Sequence, residues 1–243
     1  MSGKVMLQVD SLTASYGAAQ ILYDLNLTVR RGEVVALMGR NGAGKTTTMK
    51  TIMGLMAGRS GRVEFNGRDI STLKPYEIAR LGLGFTPEDR RIFADLTVLE
   101  NLDIGRQPPR SFSDGVAAPE WTEDKLLRLF PNLGEMPHRL GGRMSGGEQQ
   151  MLTVARTLMG NPLLILLDEP SEGVAPVIVE QIANTILELK RAGVSILLSE
   201  QNIHFAELVS DRAYILEKGQ IRWTGTMVEL ADDIDTQRAY LTV

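Results

Sequence analysis

The stretch Gly39-Arg40-Asn41-Gly42-Ala43-Gly44-Lys45-Thr46-Thr47 leaves this chain few folds to choose from. It fits G-x-x-x-x-G-K-[ST], the phosphate-binding loop, which works only between a buried strand and a helix. Both flanks are present. Val34-Val35-Ala36-Leu37-Met38 is an apolar run short enough for a buried strand, and Thr47-Thr48-Met49-Lys50-Thr51-Ile52-Met53 reads as a helix with Gly54 near its end. The glycines let the backbone curl until its N–H groups point inward, and the helix start adds partial positive charge. Lys45 can then reach the β- and γ-phosphates of a nucleotide, and the Thr46 hydroxyl can ligate Mg²⁺.

Beyond this loop, strands and helices alternate. Leu163 to Leu167 reads as a strand, Pro176 to Arg191 as a helix, Ser195 to Ser199 as a strand and His204 to Leu208 as a helix. Ala213 to Leu216 and Gln220 to Thr224 pair around Lys218-Gly219. Such alternation predicts a largely parallel sheet. Upstream, Val5 to Val9 reads as a first strand, Ser15-Tyr16-Gly17 as a turn and Leu22 to Val29 as a second strand. Asp24 to Val29 and Arg62 to Phe65 predict an antiparallel layer beside the nucleotide, with Asn66-Gly67 as a hairpin turn. Pro75 to Leu81 reads as a helix, and Leu83 to Glu88 as a short strand running into a loop.

The pattern changes between Asp89 and Thr157. Thr97 to Leu102 looks helical, Gln107 to Pro119 reads as a mobile polar loop, and Trp121 to Phe130 is an amphipathic helix. Met144-Ser145-Gly146-Gly147-Glu148 opens a helix through Leu158. The expectation is one α/β domain of the phosphate-loop NTPase class over 1–243, with a mainly parallel core sheet and an antiparallel β layer. A nucleotide-binding core (1–88 and 158–243) carries an inserted helical subdomain (89–157).

Composition narrows the role. An apolar fraction of 43% over 243 residues supports a packed core. The net charge of −4 provides no general attraction to nucleic acid. The chain has no cysteine, which excludes disulfides and thiolate zinc and suits the cytosol. Met1 to Met6 resembles no signal peptide, and apolar runs such as Leu163 to Leu167 fall far short of the roughly 20 residues that span a bilayer. A membrane role therefore requires a partner.

Two further stretches carry chemistry. Leu166-Leu167-Asp168-Glu169 puts an acidic pair at the end of a buried strand. Beside a phosphate loop, Asp168 would hold Mg²⁺, and Glu169 would polarise water as a general base. In Ser145-Gly146-Gly147-Glu148-Gln149-Gln150, small residues at a helix start expose N–H groups to an anion. Ser145 and Glu148 also have the spacing of a capping box, and the two readings are compatible.

Taken in order, Gly39–Thr46, Ser145–Glu148 and Leu166-Leu167-Asp168-Glu169-Pro170 resemble the nucleotide-binding subunit of an ATP-binding cassette transporter over nearly the whole chain. That resemblance implies ATP and Mg²⁺ as ligands. It also implies a head-to-tail dimer in which each ATP lies between the phosphate loop of one subunit and the Ser145–Glu148 segment of the other. Tyr16 matches the aromatic that stacks on adenine. Pro87-Glu88-Asp89-Arg90-Arg91-Ile92-Phe93, Leu96-Thr97-Val98, Glu200-Gln201-Asn202 and Ala239-Tyr240-Leu241 resemble the shorter of the two ATPases of branched-chain amino acid uptake systems, and their urea and amide relatives. Such systems join two ATPases (a sister pair or a self pair) to two membrane permease subunits and a solute-binding protein, at the cytoplasmic face of the membrane.

Three positions depart from the wider cassette pattern. Glu88 stands where most cassettes have the glutamine that approaches Mg²⁺, Gln201 where most have a histidine, and Val174 where many have an aspartate. A carboxylate at 88 should bind the ion more tightly than an amide. Gln201 can donate to a γ-phosphate but cannot take a proton. His204 is expected on the surface. Arg90, Arg91, Phe93 and Leu96 match the region that receives a short helix of the membrane subunit.

Overall fold

The computed structural model describes residues 3–241. The chain opens with a long hairpin of β1 (Val5–Tyr16) and β2 (Ala19–Arg30), then β3 (Val34–Met38) and α1 (Lys45–Ile52). β4 (Gly58–Phe65) and β5 (Arg68–Asp69) form a second hairpin, followed by α2 (Pro75–Arg80) and β6 (Leu83–Thr86). Four helices come next: α3 (Val98–Gly105), α4 (Glu123–Leu129), α5 (Pro131–Gly134) and α6 (Gly146–Met159). The last third runs β7 (Leu164–Asp168), α7 (Pro176–Arg191), β8 (Ser195–Glu200), α8 (Ile203–Val209), β9 (Arg212–Glu217), β10 (Gln220–Thr226), α9 (Met227–Asp232) and α10 (Ile234–Tyr240). Among the described residues no helix is long and apolar enough to cross a membrane.

Two sheets enclose α1. The six-stranded sheet has the order β10-β9-β3-β8-β7-β6 and is parallel from β9 to β6. The other is antiparallel with the order β2-β1-β4-β5. Strand alternation divides the core. Val35 and Leu37 of β3, Leu164 and Leu166 of β7 and Leu197 of β8 face α1 (Met49, Ile52) and the antiparallel layer. Val34, Ile165, Leu167, Ile196 and Leu198 face α6 and α7 on the opposite side. β3, β7 and β8 are buried on both faces, as central parallel strands with both faces covered must be.

Two local expectations need correction. Ser15 and Tyr16 belong to β1, and the turn is Gly17-Ala18. Register shifts along β1, with Ser11 at φ +49°, break the alternation that would have revealed the strand's length. The segments expected in an antiparallel layer both lie in one, Asp24 to Val29 in β2 and Arg62 to Phe65 in β4, with β1 between them. Asn66-Gly67 does turn a hairpin, with both residues at positive φ.

The second correction concerns Gln107 to Pro119, expected as a mobile loop. It folds back through a bridge between Ser111 and Ala117 and buries Phe112 in the core beside the antiparallel layer. The Arg31 guanidinium lies 3.6 Å from the Phe112 ring centroid and pairs with Asp114 at 3.2 Å. Ser113 accepts from Lys4 Nζ, and its N–H donates to Asn66. One aromatic anchor and a cation stacked upon it are enough to seat an otherwise polar segment.

Candidate active site

The phosphate loop leaves the C-terminal end of β3 and closes on α1. Gly39 adopts φ +155°, and a Cβ there would stand 2.4 Å from the Leu216 carbonyl oxygen of β9. Only glycine permits that approach. At Gly44, with φ +112°, a Cβ would come within 3.0 Å of Leu22. The Lys218-Gly219 turn braces the loop from beside it, since the Gly219 N–H donates to the Ala43 carbonyl at 2.9 Å.

Lys45 is buried at 3% exposure. Its Nζ donates to the carbonyls of Gly39 (2.7 Å) and Arg40 (3.2 Å) and pairs with Glu169 Oε1 at 3.0 Å. Thus two residues expected to act on different parts of a nucleotide hold each other here.

Strand order explains how Asp168 and Glu169 are set. β8 lies between β3 and β7, and Ser199 of β8 is in register with Asp168 on one side and Leu37 on the other. The Ser199 hydroxyl donates to Asp168 Oδ1 at 2.6 Å and accepts the Glu169 N–H at 3.0 Å. Thr46 Oγ1 also donates to Asp168 Oδ1, at 3.1 Å. Glu169 itself takes φ +47°, a left-handed conformation that persists in a non-glycine residue only where its neighbours fix it.

Electrostatics distinguish the carboxylates. Burial pushes the Asp168 carboxyl up, against the hydrogen bonds from Ser199 and Thr46, and the charges of Glu169 and Glu88 push it the same way. At Glu169 burial also pushes upward, but the hydrogen bonds from Glu172 and Lys45 prevail and hold its carboxyl below the ordinary range. Glu172 is the counterpart: sharing that hydrogen bond with Glu169, then burial, then the charges of Glu169 and Glu88, raise it to about 7.

These groups line one cleft of about 420 Å³, formed by Ile21, Asn41, Gly42, Gly44, Lys45, Thr46, Thr47, Glu88, Glu169 and Glu172. Asp168 is not in the lining and reaches it through Thr46. Its Oδ2 is buried without a hydrogen-bond partner. Among the described residues no group of three His, Cys, Asp or Glu side chains is arranged so that it could hold a metal ion by itself. One orphaned carboxylate oxygen beside a threonine hydroxyl suits Mg²⁺, which takes one or two carboxylates and completes its shell with water and substrate phosphates.

Other predicted residues lie elsewhere. Tyr16, half-exposed, ends β1 and does not line the cleft. Gln201 is exposed after β8 and is likewise absent from the lining. Ser145 caps α6 with Glu148 as predicted: Glu148 Oε2 accepts the Ser145 N–H at 2.7 Å, and Ser145 Oγ accepts the Glu148 N–H at 3.3 Å. Within one chain, Ser145, Gly146, Gly147 and Glu148 share no pocket lining with the phosphate loop. His204 is 89% exposed, as expected.

Sequence reading missed Ser199, Glu172 and Glu200. Glu200 is 2% exposed, and its carboxylate accepts the N–H groups of Ser171 (3.2 Å), Gln201 (3.1 Å) and Asn202 (3.2 Å). It thereby ties the segment after Glu169 to the turn bearing Gln201. Burial pushes its carboxyl up despite those bonds. The available signal was Ser199-Glu200 closing an apolar run at the same sheet end as the phosphate loop.

The ABC transporter family profile matches residues 22–172. The chain is 42% identical to the high-affinity branched-chain amino acid transport ATP-binding protein BraG of Pseudomonas aeruginosa, over 97% of this chain and 99% of the relative. It is 36% identical to the lipopolysaccharide export system ATP-binding protein LptB of Haemophilus influenzae, over 97% of each. A probable branched-chain amino acid transport ATP-binding protein, LivF of Archaeoglobus fulgidus, is 36% identical over 93% of this chain and 94% of the relative. A nucleotide-free ATP-binding cassette from an ABC transporter superposes with a TM-score of 0.80 at 30% identity, covering 96% of this chain and 95% of its own. With the phosphate loop and the Asp168-Glu169 pair converging on one cleft, the chain belongs to the ABC transporter family as an ATP-binding, ATP-hydrolysing subunit.

Proposed function

We propose that this ATPase energises uptake of branched-chain amino acids, held at the cytoplasmic face of the membrane by two permease subunits and fed from outside by a solute-binding protein. The near full-length identity to BraG supports the solute class. The convergence of Lys45, Thr46, Asp168 and Glu169 carries the chemistry.

On this reading, ATP phosphates take the inward N–H groups of Gly39 to Thr47 and draw Lys45 away from Glu169. Glu169 then polarises the attacking water, and Lys45 stabilises charge on the phosphoryl oxygens. Thr46, Asp168 and Glu88 would hold Mg²⁺. Bound there, the ion neutralises phosphate charge during transfer. Tyr16 stacks on adenine, and Gln201 donates to the γ-phosphate. Ser145, Gly146, Gly147 and Glu148 come from a second cassette, a sister ATPase or another copy. Their absence from the cleft lining of a single chain favours that arrangement.

An apolar groove of about 500 Å³ suits the permease helix. Leu55, Tyr76, Phe93 and Ile104 line it with roughly half their surface exposed, and the Arg156 guanidinium stands 5.1 Å from the Phe93 ring centroid. Of the residues expected there, only Phe93 lines it; Arg90, Arg91 and Leu96 do not.

The test is reconstitution with the two permease subunits in liposomes. ATP turnover should rise with leucine-loaded binding protein. Stimulation by a urea- or amide-loaded protein would move the solute to that class. Full turnover with no binding protein, on lipopolysaccharide-containing membranes, would favour export, as the LptB likeness allows.

A further inference from the structure

The segment after β6 passes Glu88 and reaches α6 through two successive left-handed residues, Arg90 (φ +59°) and Arg91 (φ +50°). Neither has glycine's freedom, so the surroundings must impose this turn. α6 does so. Thr153 Oγ1 donates to the Arg90 carbonyl at 2.9 Å, and Arg156 Nη2 donates to the Arg91 carbonyl at 2.7 Å.

The two side chains then differ. Arg91 is neutralised by Asp89 at 2.8 Å. The Arg90 guanidinium lies against Gly146, where a Cβ would meet Nη1 at 3.0 Å and Cζ at 3.4 Å. Its Nε is buried without a hydrogen-bond partner, and no carboxylate pairs with it among the described residues. Glu148, the acid of that helix turn, is taken by the Ser145 N–H and stands 4.0 Å from Arg139. An unpaired cation thus sits at the positive end of a helix, where its charge is repelled. The repulsion reverses once an anion reaches the same turn.

We propose that Arg90 is a positioning residue of the composite ATP site: it fixes the first turn of α6 against the Glu88 segment and lends that turn the positive charge met by the partner copy's triphosphate. This rests on the head-to-tail pairing above, with a second copy of this chain as partner. Arg90 therefore acts on ATP-driven association more than on ATP capture by one chain.

The test uses the full chain carrying Glu169→Gln, expected to bind ATP without turning it over, with Arg90→Gln or Arg90→Lys added. Dimerisation in Mg-ATP is followed by sedimentation at about 50 and about 300 mM salt, and ATP affinity by fluorescence at low protein concentration. Arg90→Gln should weaken the ATP-dependent dimer about tenfold, well beyond any change in ATP affinity, and flatten its salt dependence. Arg90→Lys should recover most of the loss. A dimer constant within twofold of the parent in Arg90→Gln overturns the proposal. So does equal damage by both variants with a lowered melting temperature, which would mean packing alone. If the Glu169→Gln parent stays monomeric with ATP, the pairing itself is wrong.

Discussion

Glu169→Gln should tighten ATP binding while removing turnover, because ATP and Glu169 compete for Lys45. The ion pair is 3.0 Å long, with its side chains 3% and 8% exposed, so solvent screens it little. A charge-assisted hydrogen bond of this kind contributes about 1.5–3 kcal/mol net. An incoming phosphate must overcome that preference, which converts to about tenfold to a hundredfold in ATP affinity. The amide should return most of it, while loss of the general base lowers turnover by about two to four orders of magnitude. Without nucleotide the variant should be less stable by about 1–3 kcal/mol, since Lys45 keeps the Gly39 and Arg40 carbonyls but loses its carboxylate. For a chain of this size that is a melting decrease of about 2–4 °C per kcal/mol. Calorimetric ATP titration at pH 7.5 measures the gain. Glu172→Gln is the control, removing acidic charge from the same cleft without deleting the carboxylate paired with Lys45. Equal ATP affinities of wild type and Glu169→Gln, or an equal gain in Glu172→Gln, would refute the competition.

Other expectations follow from the same cleft. Ser199→Ala removes the donor to Asp168 and the acceptor of the Glu169 N–H; it should weaken Mg²⁺ dependence about 10–100-fold, read by metal titration of turnover. Glu172, raised to about 7, binds a proton in the folded chain that the unfolded chain releases near 4.5. Its stabilising contribution is therefore full below 4.5 and is lost as pH rises through about 7. Glu172→Gln should flatten the melting temperature between pH 5 and 8, and curves parallel to wild type would contradict this. Gln201→Ala should lower turnover more than ATP affinity, and the reverse split would remove its role as γ-phosphate sensor. Glu88→Gln should raise the Mg²⁺ concentration needed for half-maximal turnover and speed the reaction; an unchanged metal dependence and rate would dismiss the carboxylate's effect.

The phosphate loop and the Asp168-Glu169 pair were legible because each is a local pattern: glycines at fixed spacing before a helix, acids closing an apolar strand. Ser199 and Glu200 were not, because β8 reads as a core strand and its function arises from lying between β3 and β7. Nothing local encodes strand order. Glu172 escaped for a related reason, since its environment is set by Glu169 folding back at positive φ. β1 looked short because its register shifts erase the period of two. Gln107 to Pro119 looked like an untethered loop because composition outweighed Phe112, whose anchor lies far away in sequence at Arg31.

That anchored segment has a mechanical consequence. Both its ends belong to the helices: Asn161, just past α6, accepts the Trp121 N–H and donates to the Gln107 carbonyl, while the middle is seated on Arg31 and Asn66. It is a strap with two short arms. One arm runs from Gln107 to Phe112 and the other from Phe112 to Trp121, and an extended residue reaches about 3.6 Å at most. Any swing of α3 to α6 against the sheets is therefore metered by the slack in those arms, and a larger stroke requires Phe112 to leave its seat.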